Sequence, residues 1–160
     1  MWDVIDEASQ EFGAMGHGWT YSGHPICAAA ALANLDILER ENLTQNAAQT
    51  GAYLLEQLQA AFDGHPLVGE VRGAGMLAAI EFMADKDERR AFDPTLKVGP
   101  RVSAAAMQRG LIARAMPHGD ILGFAPPLVT SRADVDEIVR LARGAIDEVA
   151  SQVLTQPASA

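Results

Sequence analysis

Residues 17–25 read HGWTYSGHP and stand directly before the apolar run ICAAAALANLDIL, residues 26–38. The short stretch holds two glycines, two histidines and three hydroxyls, at Thr20, Tyr21 and Ser22. Pro25 suits the first turn of a helix, where its missing N–H leaves no bond unmade. The pattern therefore predicts a polar loop feeding a helix, and the helix is apolar on most faces, so it is expected to be buried. Loop backbone N–H groups at a helix start, with hydroxyls beside them, form an anion site. Gly18 and Gly23 would let that backbone approach a ligand closely. Capping of the helix by Ser22 is the plainer account of the same residues and the one their chemistry alone favours.

Working outward, Trp2, Val4, Ile5, Ala8 and Phe12 follow helical spacing from the first residue. A chain that starts inside an amphipathic element reads as cut from something longer, since free termini are usually polar and frayed. After the apolar run, a break at ENLT precedes a helix near 44–62 with the stripe Leu54, Leu55, Leu58 and Phe62, ended by DGHP (63–66). VGEVRGAGMLAAIEFM (68–83) has strand character, and its glycines mark a turn or a close backbone approach. A charged loop follows. Gly99 and Pro100 open a third helix through Val102, Ala106 and Met107, which Gly110 closes. LIARAM and ILGFAP read as short strands around the turn PHGD, residues 117–120. Ser131 and Asp134 form a capping box before a last helix with the stripe Val135, Ile138, Val139, Ala142, Ile146 and Val149. The fold class expected is α/β. Three parts are expected: 1–40, 41–154, and a disordered tail at 155–160.

Composition excludes several classes of function. A net charge of −9, with only 12 basic residues and those scattered, argues against a nucleic-acid surface. No apolar run reaches the length that spans a bilayer, and the acidic N-terminus is neither a signal nor a transit peptide, so no membrane association and a cytoplasmic location are expected. The single cysteine, Cys27, allows no internal disulfide and reads as a small core residue. His17 and His24 lack the spacing of a helical metal site, and no metal is expected. No Gly-x-Ser-x-Gly elbow occurs. Arg114 lies among Leu111, Ile112 and Met116, where an unpartnered guanidinium would be costly to bury. Its planar fork fits a substrate carboxylate, and a structural ion pair with one of the 21 acidic residues is the alternative. Arg72, beside glycines in EVRGAG, reads more as structural.

With HGWTYSGHP and the following ALANLDILERENL, then EVRGAGMLAAIEF, then ILGFAPPLVTSRADVDEIV, the chain resembles the class III aminotransferases. These are pyridoxal-phosphate enzymes of fold type I, and the likeness is nearest to the ω-amino acid or amine:pyruvate transaminases. The resemblance implies the end of the large cofactor domain with its connecting helix over 1–40, and the C-terminal small domain over 41–154. It implies pyridoxal 5′-phosphate as cofactor, small amine and keto-acid substrates, and a homodimer. Thr20, helped by the main chain of Trp19, would reach the cofactor phosphate of the neighbouring subunit. Arg114 would meet the substrate carboxylate and swing aside for a hydrophobic amine, although PHGD lengthens the turn after it relative to many members.

The resemblance also implies a lysine that forms the Schiff base with the cofactor. In the family it lies farther upstream of the threonine than the nineteen residues preceding Thr20 here. Lys86 and Lys97 are the chain's two lysines, and neither takes that position. The chain by itself is therefore expected to lack a catalytic residue and to be inactive. The readings that compete are a non-catalytic small-domain or assembly module and a related aminomutase.

Overall fold

A computed structural model describes residues 2–14, 16, 18 and 20–154. The chain divides into two compact units, 1–40 and 41–160. The first holds helices α1 (Trp2–Phe12) and α2 (Pro25–Arg40). Both begin where the spacing predicts, but α2 has no buried residue. Ile26, Leu32 and Leu35 are exposed, and so is Cys27, which corrects the expectation of a buried helix with a core cysteine. A helix's own hydropathy favours burial, but burial itself needs a complementary surface packed against it.

The second unit contains α3 (Leu43–Phe62), β1 (Val68–Ala74), β2 (Leu77–Phe82), α4 (Val98–Gln108), β3 (Arg114–Ala115), β4 (Ile121–Phe124) and α5 (Arg132–Val153). The mixed helix-and-sheet class holds. All pairings are antiparallel, in the order β1-β2-β4-β3. The hairpin between β1 and β2 turns on Gly75 and Met76, with Gly75 at φ 55° in the left-handed region that glycine occupies without strain.

Period-two alternation splits the sheet into two faces. Ala78, Ile80 and Phe82 of β2 and Leu122 and Phe124 of β4 point inward and are buried. They join Leu54 and Leu58 of α3, Val98 and Val102 of α4, and Val135, Ala142 and Ile146 of α5 in one core. Helix α3 packs on β1 and β2, α4 packs on β3 and β4, and α5 packs on both helices. Among the described residues of this unit, no helix covers the opposite face of the sheet. Helix α5 starts at the expected capping box: the Ser131 hydroxyl accepts the Asp134 N–H at 3.2 Å, and the Asp134 carboxylate accepts the Ser131 N–H at 2.9 Å. The tail 155–160 lies outside the described residues.

Candidate functional site

The loop before α2 places Thr20 in an exposed turn closed by the His24 N–H donating to the Tyr21 carbonyl at 3.1 Å. Gly23 has φ 74°, which turns the chain into α2. An exposed hydroxyl beside a sixteen-residue helix start is a donor set that suits a phosphate. Trp19 and His17 lie outside the described residues.

Arg114 sits in the other unit, on the helix-free face of the sheet. Arg72 of β1 pairs with Ala79 of β2, Ala79 pairs with Gly123 of β4, and Gly123 pairs with Arg114 of β3. These four residues form one row across the sheet, with an arginine at each end. Three inter-strand steps of about 4.8 Å separate the arginine backbones by roughly 14 Å. The two side chains have opposite circumstances. Arg72 Nη1 donates to Glu70 at 2.7 Å and to Glu81 at 2.6 Å. Glu81, then Glu70, holds its guanidinium still more firmly protonated than usual. No carboxylate stands within ion-pair distance of Arg114 among the described residues.

The expectation that Arg114 is buried and must be paired is therefore corrected. Along LIARAM the alternation runs Leu111 buried, Ile112 exposed, Ala113 buried, Arg114 exposed. Ile112 is itself 82 % exposed, so apolar neighbours in sequence are not a buried surrounding in space.

A cleft of about 510 Å³ lies over this row. Ala79, Gly123, Leu77 and Ile121 contribute to it, with Met116, Pro117 and His118 from the β3–β4 turn and the two arginines. On its other side Arg114 borders a second hollow of about 670 Å³, against Ser103, Ala104 and Met107 of α4. Asp120 ties the turn down twice: its Oδ1 accepts the Gly99 N–H at the start of α4 at 2.8 Å, and its carbonyl accepts the Phe82 N–H at 2.8 Å. Neither Asp120 nor His118 stood out in sequence. The one available signal was a polar turn, PHGD, directly after a lone arginine.

An antiparallel sheet with helices on one face, and in a cleft on the other an arginine that meets no carboxylate among the described residues, is a frame for binding a small anion. The chain belongs to the class III aminotransferase family, whose sequence profile, Aminotransferase class-III, matches residues 4–146. It is 62 % identical over 149 residues to a diaminobutyrate–2-oxoglutarate transaminase of Halomonas elongata, covering 93 % of this chain and 32 % of that protein. It is 42 % identical over 153 residues to a putrescine–pyruvate aminotransferase of Pseudomonas aeruginosa, covering 95 % of this chain and 33 % of that protein. Among solved structures it matches a transaminase from directed evolution by ancestral reconstruction with TM-score 0.88 and 76 % identity, over 95 % of this chain and 33 % of that one. The chain thus spans about a third of the length of the relatives it matches. Among the described residues no helix is long and apolar enough to cross a membrane.

Proposed function

We propose that this chain is the C-terminal portion of a pyridoxal-phosphate-dependent transaminase that moves an amino group between an amine or ω-amino acid and a keto acid such as pyruvate. Residues 1–40 belong to the end of the large domain and its connecting helix, and 41–154 form the small domain. The observation that carries the reading is Arg114: an arginine without a carboxylate partner among the described residues, at one end of a cleft floored by small residues. Its fork accepts a substrate carboxylate through paired charge-assisted bonds. The hollow beside α4 gives the side chain somewhere to lie when a hydrophobic amine enters instead.

The donor chemistry around Thr20 fits the cofactor phosphate. In a homodimer Thr20, with the Trp19 main chain, would hold the phosphate of the neighbouring subunit's cofactor. When bound, pyridoxal phosphate supplies the electron sink and carries the amino group. This chain's residues hold its phosphate and orient the substrate carboxylate. Lys86 and Lys97 both lie between β2 and α4, and neither takes the family's lysine position, so the 160-residue chain alone does not transaminate. We place the whole enzyme in the cytoplasm.

Mixing the purified chain with pyridoxal phosphate and borohydride tests the assignment of inactivity. The expected result is no reducible adduct at a single lysine and no amino transfer. A stoichiometric adduct at Lys86 or Lys97, with turnover, would contradict it.

A further inference from the structure

We infer that Ser103 of α4 is a positioning residue for Arg114: its hydroxyl pins the edge strand that carries the arginine, so that the guanidinium works from a fixed backbone. The inference rests on the reading of Arg114 as the carboxylate clamp and adds a residue through which the clamp is set.

Strand β3 is two residues long and lies at the edge of the sheet, with β4 on one side. So short a ladder holds a backbone weakly by itself. The Met116 N–H donates to the Ile121 carbonyl at 2.9 Å, one step beyond the pair of Ala115 with Leu122. Bonded pairs alternate along an antiparallel ladder, so Arg114 and Gly123 form the next one, and the carbonyl of Ala113 faces away from β4. That carbonyl accepts the Ser103 hydroxyl at 2.6 Å. Arg114 is thus held from both sides, by its own pairing with Gly123 and by the bond to α4 at the residue before it.

A serine inside a helix often turns its O–H on the carbonyl four residues back, here that of Gly99. Ser103 instead directs its one proton across to the strand. Gly99, one turn earlier on the same face of α4, makes a second connection, its N–H donating to Asp120 Oδ1 at 2.8 Å. A Cβ on Gly99 would stand 3.3 Å from Asp120 Cα and from the Ile121 nitrogen, so helix and turn approach closely there. Ala113 and Asp120 bracket the segment that supplies Arg114, Met116, Pro117 and His118 to the cleft. One face of α4 therefore grips that wall of the cleft at both ends.

Arg114 needs such a hold. Its side chain borders the cleft and, beside Ser103, the hollow against α4. A long side chain serves two positions reproducibly only from a fixed Cα, and a misplacement of about 1 Å costs up to about a hundredfold at a reacting group. The Ser103 hydroxyl fixes that Cα without touching a ligand. Its loss should therefore be felt by carboxylates and not by amines that leave the guanidinium unused.

The test uses a full-length relative carrying this chain's residues at the matching positions, with the two half-reactions measured separately. Ser103→Ala should raise KM for pyruvate about threefold to tenfold, the loss of one hydrogen bond, with kcat and the kinetics of a hydrophobic amine little changed. Ser103→Thr keeps the hydroxyl and should restore the pyruvate KM. Ser103→Cys, a weaker donor of like size, should fall between, and it carries the test if Ser103→Ala does not fold. Ser131→Ala removes a serine hydroxyl bond of the same unit at the start of α5 and should leave both half-reactions as they are. Unchanged pyruvate kinetics in Ser103→Ala, where Arg114→Ala loses pyruvate use, overturns the role of Ser103 alone. Equal losses for pyruvate and the amine, no rescue by Ser103→Thr, or the same KM rise in Ser131→Ala would overturn it too, leaving the bond a structural one. Retained pyruvate use in Arg114→Ala overturns the clamp itself.

Discussion

Arg72 and Arg114 occupy the two ends of one cross-strand row, with Ala79 and Gly123 between them. The first is neutralised by Glu70 and Glu81, which face each other across the hairpin, while the second meets no carboxylate among the described residues. Two arginines on one sheet face thus do different work. Arg72 keeps two like charges from opposing each other, and Arg114 is left available to a ligand.

Replacing Arg72 with Ala should therefore act on the fold. Glu70 and Glu81 would stand opposite with no cation between them, which destabilises a strand pair. The guanidinium is partly exposed, so the loss should not exceed about 1 kcal/mol. Urea unfolding checks it, and carboxylate binding at Arg114 should survive the change.

Gly51 gives a prediction of opposite sign to helix propensity. In the interior of α3, Gly→Ala ordinarily stabilises by about 1 kcal/mol. Here a Cβ would collide with the backbone of Gly75 in the hairpin turn. Backbone cannot rotate away as a side chain can, so Gly51→Ala should destabilise by about 1–3 kcal/mol. A higher urea midpoint for the variant would contradict this packing of α3 on the hairpin.

Asp120 carries a bond that belongs to two elements at once. Asp120→Ala removes the acceptor from the Gly99 N–H and should cost about 1 kcal/mol, as loss of a helix cap does. Asp120→Asn keeps an oxygen acceptor and should lose less. Thermal melts of the two variants distinguish a capping role from a general effect of altering the turn.

The capping box of α5 sets an acid limit. The Ser131 hydroxyl, then its N–H, holds the Asp134 carboxyl below its usual 3.8. Arg140 likewise holds Glu137 below its usual 4.5. A carboxyl lowered by folding stabilises the fold above its unfolded value, and that contribution disappears as the pH falls through the lowered folded value. Melting temperature should thus fall below about pH 4, and Asp134→Asn should flatten that fall while lowering the plateau at neutral pH. An unchanged acid slope in Asp134→Asn would exclude the capping box as a contributor.

What could be read in advance was what local chemistry decides. The capping box at Ser131, the boundary of α3 before DGHP and the strand pair around PHGD all depend on residues close in sequence, whereas the glycines of 68–83 leave a turn and a close backbone approach both open until the hairpin at Gly75 is known. What could not be read depends on partners distant in sequence or outside this unit. The apolar faces of α2 predict burial, but exposure is fixed by what packs there. Arg114 reads as buried because Ile112 and Met116 flank it in sequence, but in the fold all three are exposed. The Arg72 row needed the hairpin register before Glu81, nine residues on, could be seen as its partner.

The central claim is that Arg114 reads the substrate carboxylate. It is tested most directly in a full-length relative carrying this chain's residues at the matching positions, by measuring the two half-reactions separately in the unaltered enzyme and in Arg114→Ala. The account predicts that kcat/KM for pyruvate falls by about tenfold to a hundredfold, the loss of one charge-assisted contact, while kcat/KM for a hydrophobic amine changes little. Unchanged pyruvate kinetics in the variant would contradict it.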